Sequence, residues 1–151
     1  MTKKEIDLIR NSFAKIVPVA DEAAVLFYAK LFDLDPNLRP LFKIGIQEQG
    51  RKLMQMLRAA VEGLDRFEEL IPILKDLGFW HAGYGVEEQH YKTVGQALLW
   101  TFDRALGESF TSETRDAWAN VYGLIAETMK SGAAQRSQAT QASEYVGSEI
   151  L

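Results

Sequence analysis

His81 and Gln49 are polar side chains set in apolar stripes, and chemistry is most readily sought at them. His81 closes the run Leu70-Ile71-Pro72-Ile73-Leu74-Lys75-Asp76-Leu77-Gly78-Phe79-Trp80-His81. Leu77 and Leu74 lie four and seven residues before it, so on a helix the imidazole shares their face. Gly78, one turn back, removes bulk beside it, and Gly83 and Gly85 follow as helix terminators. A histidine so placed is either satisfied by a neighbour in the core or ligates a metal held there. Gln49 shares a helical face with Leu53, Met56 and Ala60. A buried amide without a partner costs about 1–3 kcal/mol, so Gln49 needs an interior partner or a place at the rim. Tyr28 and Phe42 read as core aromatics or as walls of the same pocket. His90 neighbours Glu87 and Glu88 and is expected to be solvated.

Composition narrows the chemistry. The 151 residues, 47% hydrophobic, suit one domain with a real core. A net charge of -4 argues against a nucleic-acid footprint. The absence of cysteine excludes disulfides, iron–sulfur clusters and thiolate-ligated metals. No His-x-x-Glu-His arrangement, Gly-rich phosphate loop or Gly-x-Ser-x-Gly elbow is present, so protein-only metal sites and serine nucleophiles lack candidates. No apolar run reaches the roughly 18 residues of a membrane span. The amphipathic start is unlike a signal peptide, which makes the cytoplasm the expected compartment.

The positioning elements read as helices throughout, an all-α domain. Thr2 and Glu5 form a capping-box pair before Ile6, Ile9, Phe13 and Ile16. Asp21 to Leu34 is a second helix with a heavy face of Val25, Tyr28 (or Phe27), Leu31 and Phe32. Asp35-Pro36 starts a short helix ending at Leu41-Phe42. Another runs from Gln47 to Gly63. Asp65 and Glu68 suggest a cap for the His81 helix, which Pro72 is expected to kink or divide. Glu87 to Leu106 is a long helix, and Thr111 caps a last one with Trp118, Tyr122, Ile125 and Met129. The expected organisation is a domain over 1–135 and a polar tail over 136–151.

Several segments resemble bacterial haemoglobins. Phe27-Tyr28-Ala29-Lys30-Leu31-Phe32 and Pro36-Asn37-Leu38-Arg39-Pro40-Leu41-Phe42 are similar to their second and third helices. Gln49-Gly50-Arg51-Lys52-Leu53 looks like their distal helix. His81, followed ten residues later by Tyr91 and then Val94-Gly95-Gln96-Ala97-Leu98-Leu99, looks like the proximal histidine and the helix after it. Asp116-Ala117-Trp118 and Val121-Tyr122-Gly123 resemble the final helix. The likeness spans about residues 4 to 130 and is nearest to single-domain bacterial globins and the globin half of flavohaemoglobins.

The resemblance implies a globin fold, a three-over-three helical sandwich around haem b. His81 would be the axial iron ligand, and Phe42 would pack on the porphyrin. Tyr28 and Gln49 would donate hydrogen bonds to dioxygen or nitric oxide at the iron. Leu53, Val86 and Val94 would be apolar walls, Tyr91 would lie against the cofactor, and Lys52 or Arg51 would reach a haem propionate. The implied function is reversible oxygen binding, in transport or storage. The alternative is nitric oxide dioxygenation supported by an external reductase, since no flavin or nicotinamide motif is present. A haem-free, partner-binding module is the remaining class. A monomer or weak homodimer is expected, without nucleic acid or membrane partners. Flavohaemoglobins carry a glutamate in the last helix that buttresses the proximal histidine. Here the matching region is near Ala133, with Glu127 one to two turns earlier.

Overall fold

The chain begins at a completed capping box. Thr2 Oγ1 accepts from the Glu5 amide, and the Glu5 carboxylate accepts from the Thr2 amide, at 3.1 and 3.0 Å. This opens α1 (Lys3–Ile16) in a computed structural model that describes residues 1–138. After a 3₁₀ turn at Val17–Val19 come α2 (Ala20–Leu34), a 3₁₀ segment (Pro36–Leu41), and α3 (Ile46–Glu62). A 3₁₀ turn at Leu64–Arg66 precedes α4 (Phe67–Gly83), followed by α5 (Glu88–Leu106). The 3₁₀ turn Gly107–Ser109 leads to α6 (Ser112–Gln138), capped by Thr111 Oγ1, which accepts from the Thr114 amide at 3.2 Å. No strand occurs among the described residues, and none of their helices is long and apolar enough to cross a membrane. Helix α6 runs past the boundary expected at residue 135, and the rest of the expected tail lies outside the described residues.

The six helices pack as two layers of three. α1 meets α3 in one layer and α2 and α6 flank α5 in the other, while α2–α3, α1–α6 and α4–α6 cross between them. Ile9, Phe13, Phe27, Leu31, Phe102 and Trp118 fill the space enclosed. Each such side chain contributes about 1.5–3 kcal/mol on burial. Trp118 Nε1 donates to Ser12 Oγ at 2.8 Å, and Ser12 Oγ donates to the Leu8 carbonyl at 2.7 Å, so the polar atoms in this core are satisfied in series.

Three local expectations need correction. The buried face of α2 is Ala24, Phe27, Tyr28 and Leu31, and Val25 is 54% exposed. A Cβ at Gly50 would stand 2.8 Å from the Ala24 Cβ, so close approach of α3 selects the small residue, not the bulkier one beside it. Asp65 does not cap α4, because Arg66 occupies that position. The Asp65 carboxylate instead accepts from Arg10 Nη2 at 3.0 Å. Helix α4 runs unbroken through Pro72. The carbonyl that the ring deprives of a donor belongs to the exposed Glu68, where water can serve it.

Gly78 clears space, but for a helix. A Cβ there would lie 1.8 Å from the Met129 carbonyl oxygen of α6. Gly132 repeats the contact in reverse, with a Cβ 1.9 Å from the Lys75 carbonyl oxygen of α4. The two backbones therefore touch at paired glycines. Gly78→Ala should lower stability by more than about 2 kcal/mol through overpacking. Gly123→Ala on the open side of α6, where the added methyl meets nothing within 4 Å, should raise it by up to about 1 kcal/mol. Urea unfolding of the two variants reads the contrast, and equal effects would mean that this crossing is not tight.

Candidate functional site

The last turn of α4 presents one ring nitrogen to the interior. His81 Nδ1 lies 2.7 Å from the Leu77 carbonyl oxygen, which can only accept, so Nδ1 carries the hydrogen and Nε2 the lone pair. Nε2 is buried and has no hydrogen-bond partner among the described residues. Burial lowers the His81 pKa to about 4, outweighing the Leu77 bond, which raises it. The imidazole is thus neutral at pH 7, with a nucleophilic, metal-competent nitrogen facing inward. The turn beyond it is closed by backbone: Tyr84 and Val86 amides donate to the His81 carbonyl at 3.0 Å, and Gly85, at φ +100°, allows the reversal.

Two adjoining pockets meet at this ring, sharing His81, Val86, His90 and Val94 as walls. One opens toward Leu38, Phe42 and Gln49 and encloses about 20 Å³; the other runs back past Leu53, Tyr91 and Met129 and encloses about 100 Å³. The residues singled out in the sequence thus converge: His81, Val86 and Val94 on both walls, Phe42 and Gln49 on one, and Leu53 and Tyr91 on the other. Gln49 is wholly buried, and neither amide heteroatom has a hydrogen-bond partner among the described residues. Tyr28 lies behind the wall. Its ring stands edge-on to Phe42 with centroids 5.5 Å apart, and its buried hydroxyl also has no partner among the described residues. Burial drives the Tyr28 pKa upward and that of Tyr91 to about 12, so both phenols keep their protons at neutral pH. Lys52 is half-buried on α3 and lines neither pocket.

His90 corrects the solvated expectation. Its side chain is 12% exposed and walls both pockets. Nδ1 accepts from the Glu87 amide at 2.9 Å, completing a cap at the start of α5, and Nε2 is 3.9 Å from Asp35 Oδ2. The three-residue spacing from Glu87 carried that cap signal, and the charges beside it masked it. Glu127 is 74% exposed and faces Lys130 at 3.9 Å, so it supplies no carboxylate to His81.

Comparisons with known proteins bear on the family and the fold. The Globin family model matches residues 25–129. Neuroglobin of Chaenocephalus aceratus is 30% identical over 152 aligned positions, spanning 91% of this chain and 96% of that protein. Among solved structures, a bacterial globin from Campylobacter jejuni superposes with TM-score 0.81 at 23% identity, over 91% of this chain and 100% of its own. An engineered carbene transferase from Rhodothermus marinus gives TM-score 0.82 at 24% identity, over 91% and 96%.

The unpartnered amide of Gln49 makes a stability test possible without any cofactor. Gln49→Leu removes two buried, unsatisfied heteroatoms at nearly constant volume, and should stabilise the cofactor-free chain by about 1 kcal/mol. Thermal unfolding followed by circular dichroism measures it, and a destabilised variant would show that the amide has an interior partner after all.

Proposed function

The chain belongs to the globin family, a family of haem-binding proteins, and we propose that it holds haem b through His81 Nε2 and binds dioxygen reversibly. The residues fit that group. The buried polar atoms that lack partners among the described residues include His81 Nε2, the Tyr28 hydroxyl, the Gln49 amide and the Tyr91 hydroxyl. Leaving them so costs about 1–3 kcal/mol each, a cost that a metalloporphyrin and its ligand would relieve. The observation that carries the proposal is the neutral His81 imidazole, hydrogen-bonded on one nitrogen and bare on the other.

When bound, the haem supplies an iron that takes up diatomic ligands. The chain's own side chains do the rest. The Leu77 carbonyl fixes the His81 tautomer and supports the basicity of the ligating nitrogen. Phe42 forms an aromatic wall, and Leu53, Val86 and Val94 exclude water from the pockets. Tyr28 and Gln49 donate hydrogen bonds to a polarised diatomic ligand, and Lys52 serves a propionate from α3. The low polarity of the lining strengthens each of these hydrogen bonds.

The same pair of donors favours a second reading, nitric oxide dioxygenation, because retention of dioxygen is what that reaction needs. It requires an external reductase for repeated turnover. Mixing the oxygenated protein with nitric oxide separates the two: nitrate formed once per haem supports binding, and repeated formation with a reductant protein supports the enzyme.

Purified protein should show a Soret band that His81→Ala abolishes; colourless protein after reconstitution would end the proposal. Tyr28→Phe should speed oxygen dissociation at least about fivefold, the equivalent of one hydrogen bond of about 1 kcal/mol. Stopped-flow displacement by carbon monoxide measures the rate, and an unchanged value would remove Tyr28 from ligand contact.

A further inference from the structure

The turn that carries His81 is gripped from outside by a side chain that the oxygen-binding reading does not use. Arg136, near the end of α6, sets its guanidinium carbon 4.8 Å from the Phe79 ring centre and 5.5 Å from that of Trp80. Those two residues immediately precede His81, and their own rings meet edge to face with centroids 4.8 Å apart. Gly83 makes the room, since a Cβ there would stand 2.8 Å from Arg136 Cζ. Arg136 Nη1 is buried and has no hydrogen-bond partner among the described residues.

Met129, Gly132 and Arg136 fall at helical spacing on one face of α6. The first two make the backbone contact with α4 through Gly78 and Lys75. Arg136 therefore extends a crossing already tight enough to leave no side-chain freedom at its centre. The Trp80, His81 and Ala82 carbonyls accept from the Tyr84, Gly85 and Val86 amides, so backbone bonds close the turn and Arg136 adds the contact that ties it to α6. A cation at a helix C-terminus is favoured by the backbone dipole, and stacking on two rings adds to that. Partial desolvation of the guanidinium opposes both, so the packing of the turn fixes where it sits.

We infer that Arg136 is a positioning residue for the His81 imidazole: stacked on Phe79 and Trp80 and seated over Gly83, it clamps the last turn of α4 and holds Nε2 at a set depth in the cavity. The inference rests on His81 being the iron ligand, and the two are separable by experiment. The haem-loaded full chain is compared with Arg136→Ala, Arg136→Met and Arg136→Lys. Arg136→Ala should release haem to an excess of apomyoglobin about tenfold faster, the effect of losing both ring contacts. Its ferrous iron–imidazole stretching band in resonance Raman spectra should shift or broaden, and Arg136→Lys should restore most of both properties. A wild-type release rate and an unchanged band in Arg136→Ala would overturn the clamp and leave the His81 assignment standing. Wild-type protein without a Soret band would overturn both. Should Arg136→Ala fail to fold, Arg136→Met keeps the aliphatic stem; faster haem loss from it than from Arg136→Lys supports the clamp, and equal rates overturn it.

Discussion

The hydrogen bond from His81 Nδ1 to the Leu77 carbonyl decides which nitrogen faces the cavity, and much of the rest of the structure serves that outcome. The bond spans a single helical turn, so it exists only while α4 stays helical to its end. Burial removes the competing protonated state by lowering the imidazole pKa. A neutral ring with one nitrogen engaged can ligate a metal without first losing a proton. The helix, the desolvation and the tautomer are therefore one arrangement, and disturbing any of them changes the other two.

What keeps α4 in place is its contact with α6. Two glycines allow each backbone to press on a carbonyl of the other, and Arg136 carries the contact to the turn that bears the histidine. On the opposite side of the cavity, α2 and α3 meet at Ala24 and Gly50, again at small residues. The site is thus bracketed by two close helix approaches, which leave the larger apolar side chains to shape the space between. Two hydroxyls, an amide and an imidazole nitrogen, buried and without hydrogen-bond partners among the described residues, lie in or behind the walls of that space. A core built for stability alone would have filled these positions with hydrocarbon.

The sequence made the helices and the main residues of the site legible because each left a local mark. Thr2, Asp35 and Thr111 are capping residues at helix starts, and His81 and Gln49 interrupt stripes that are otherwise apolar. What stayed hidden depended on contacts between distant segments. Gly78 looked like room beside the imidazole, whereas its neighbour is Met129, 51 residues later. Val25 outweighed Ala24 on hydrophobicity, although closeness to Gly50 favoured the smaller side chain. Asp65 matched a capping pattern but was drawn off by Arg10, more than fifty residues away in the chain. His90 looked solvated because its charged neighbours in sequence point outward while its own ring turns in. Arg136 gave no local signal, since its value lies in the two rings it meets on another helix.

The paired glycines also bear on the order of events during synthesis. Gly132 and Arg136 lie 49 and 53 residues beyond the end of α4 and leave the ribosome that much later. Until then the histidine turn has its own backbone bonds but not the helix it presses against. The nascent chain can form its early helices and bury part of α1 and α2, yet the cavity wall on the histidine side waits for the final helix. A haem held through His81 would therefore find its full pocket only once α6 has docked on α4.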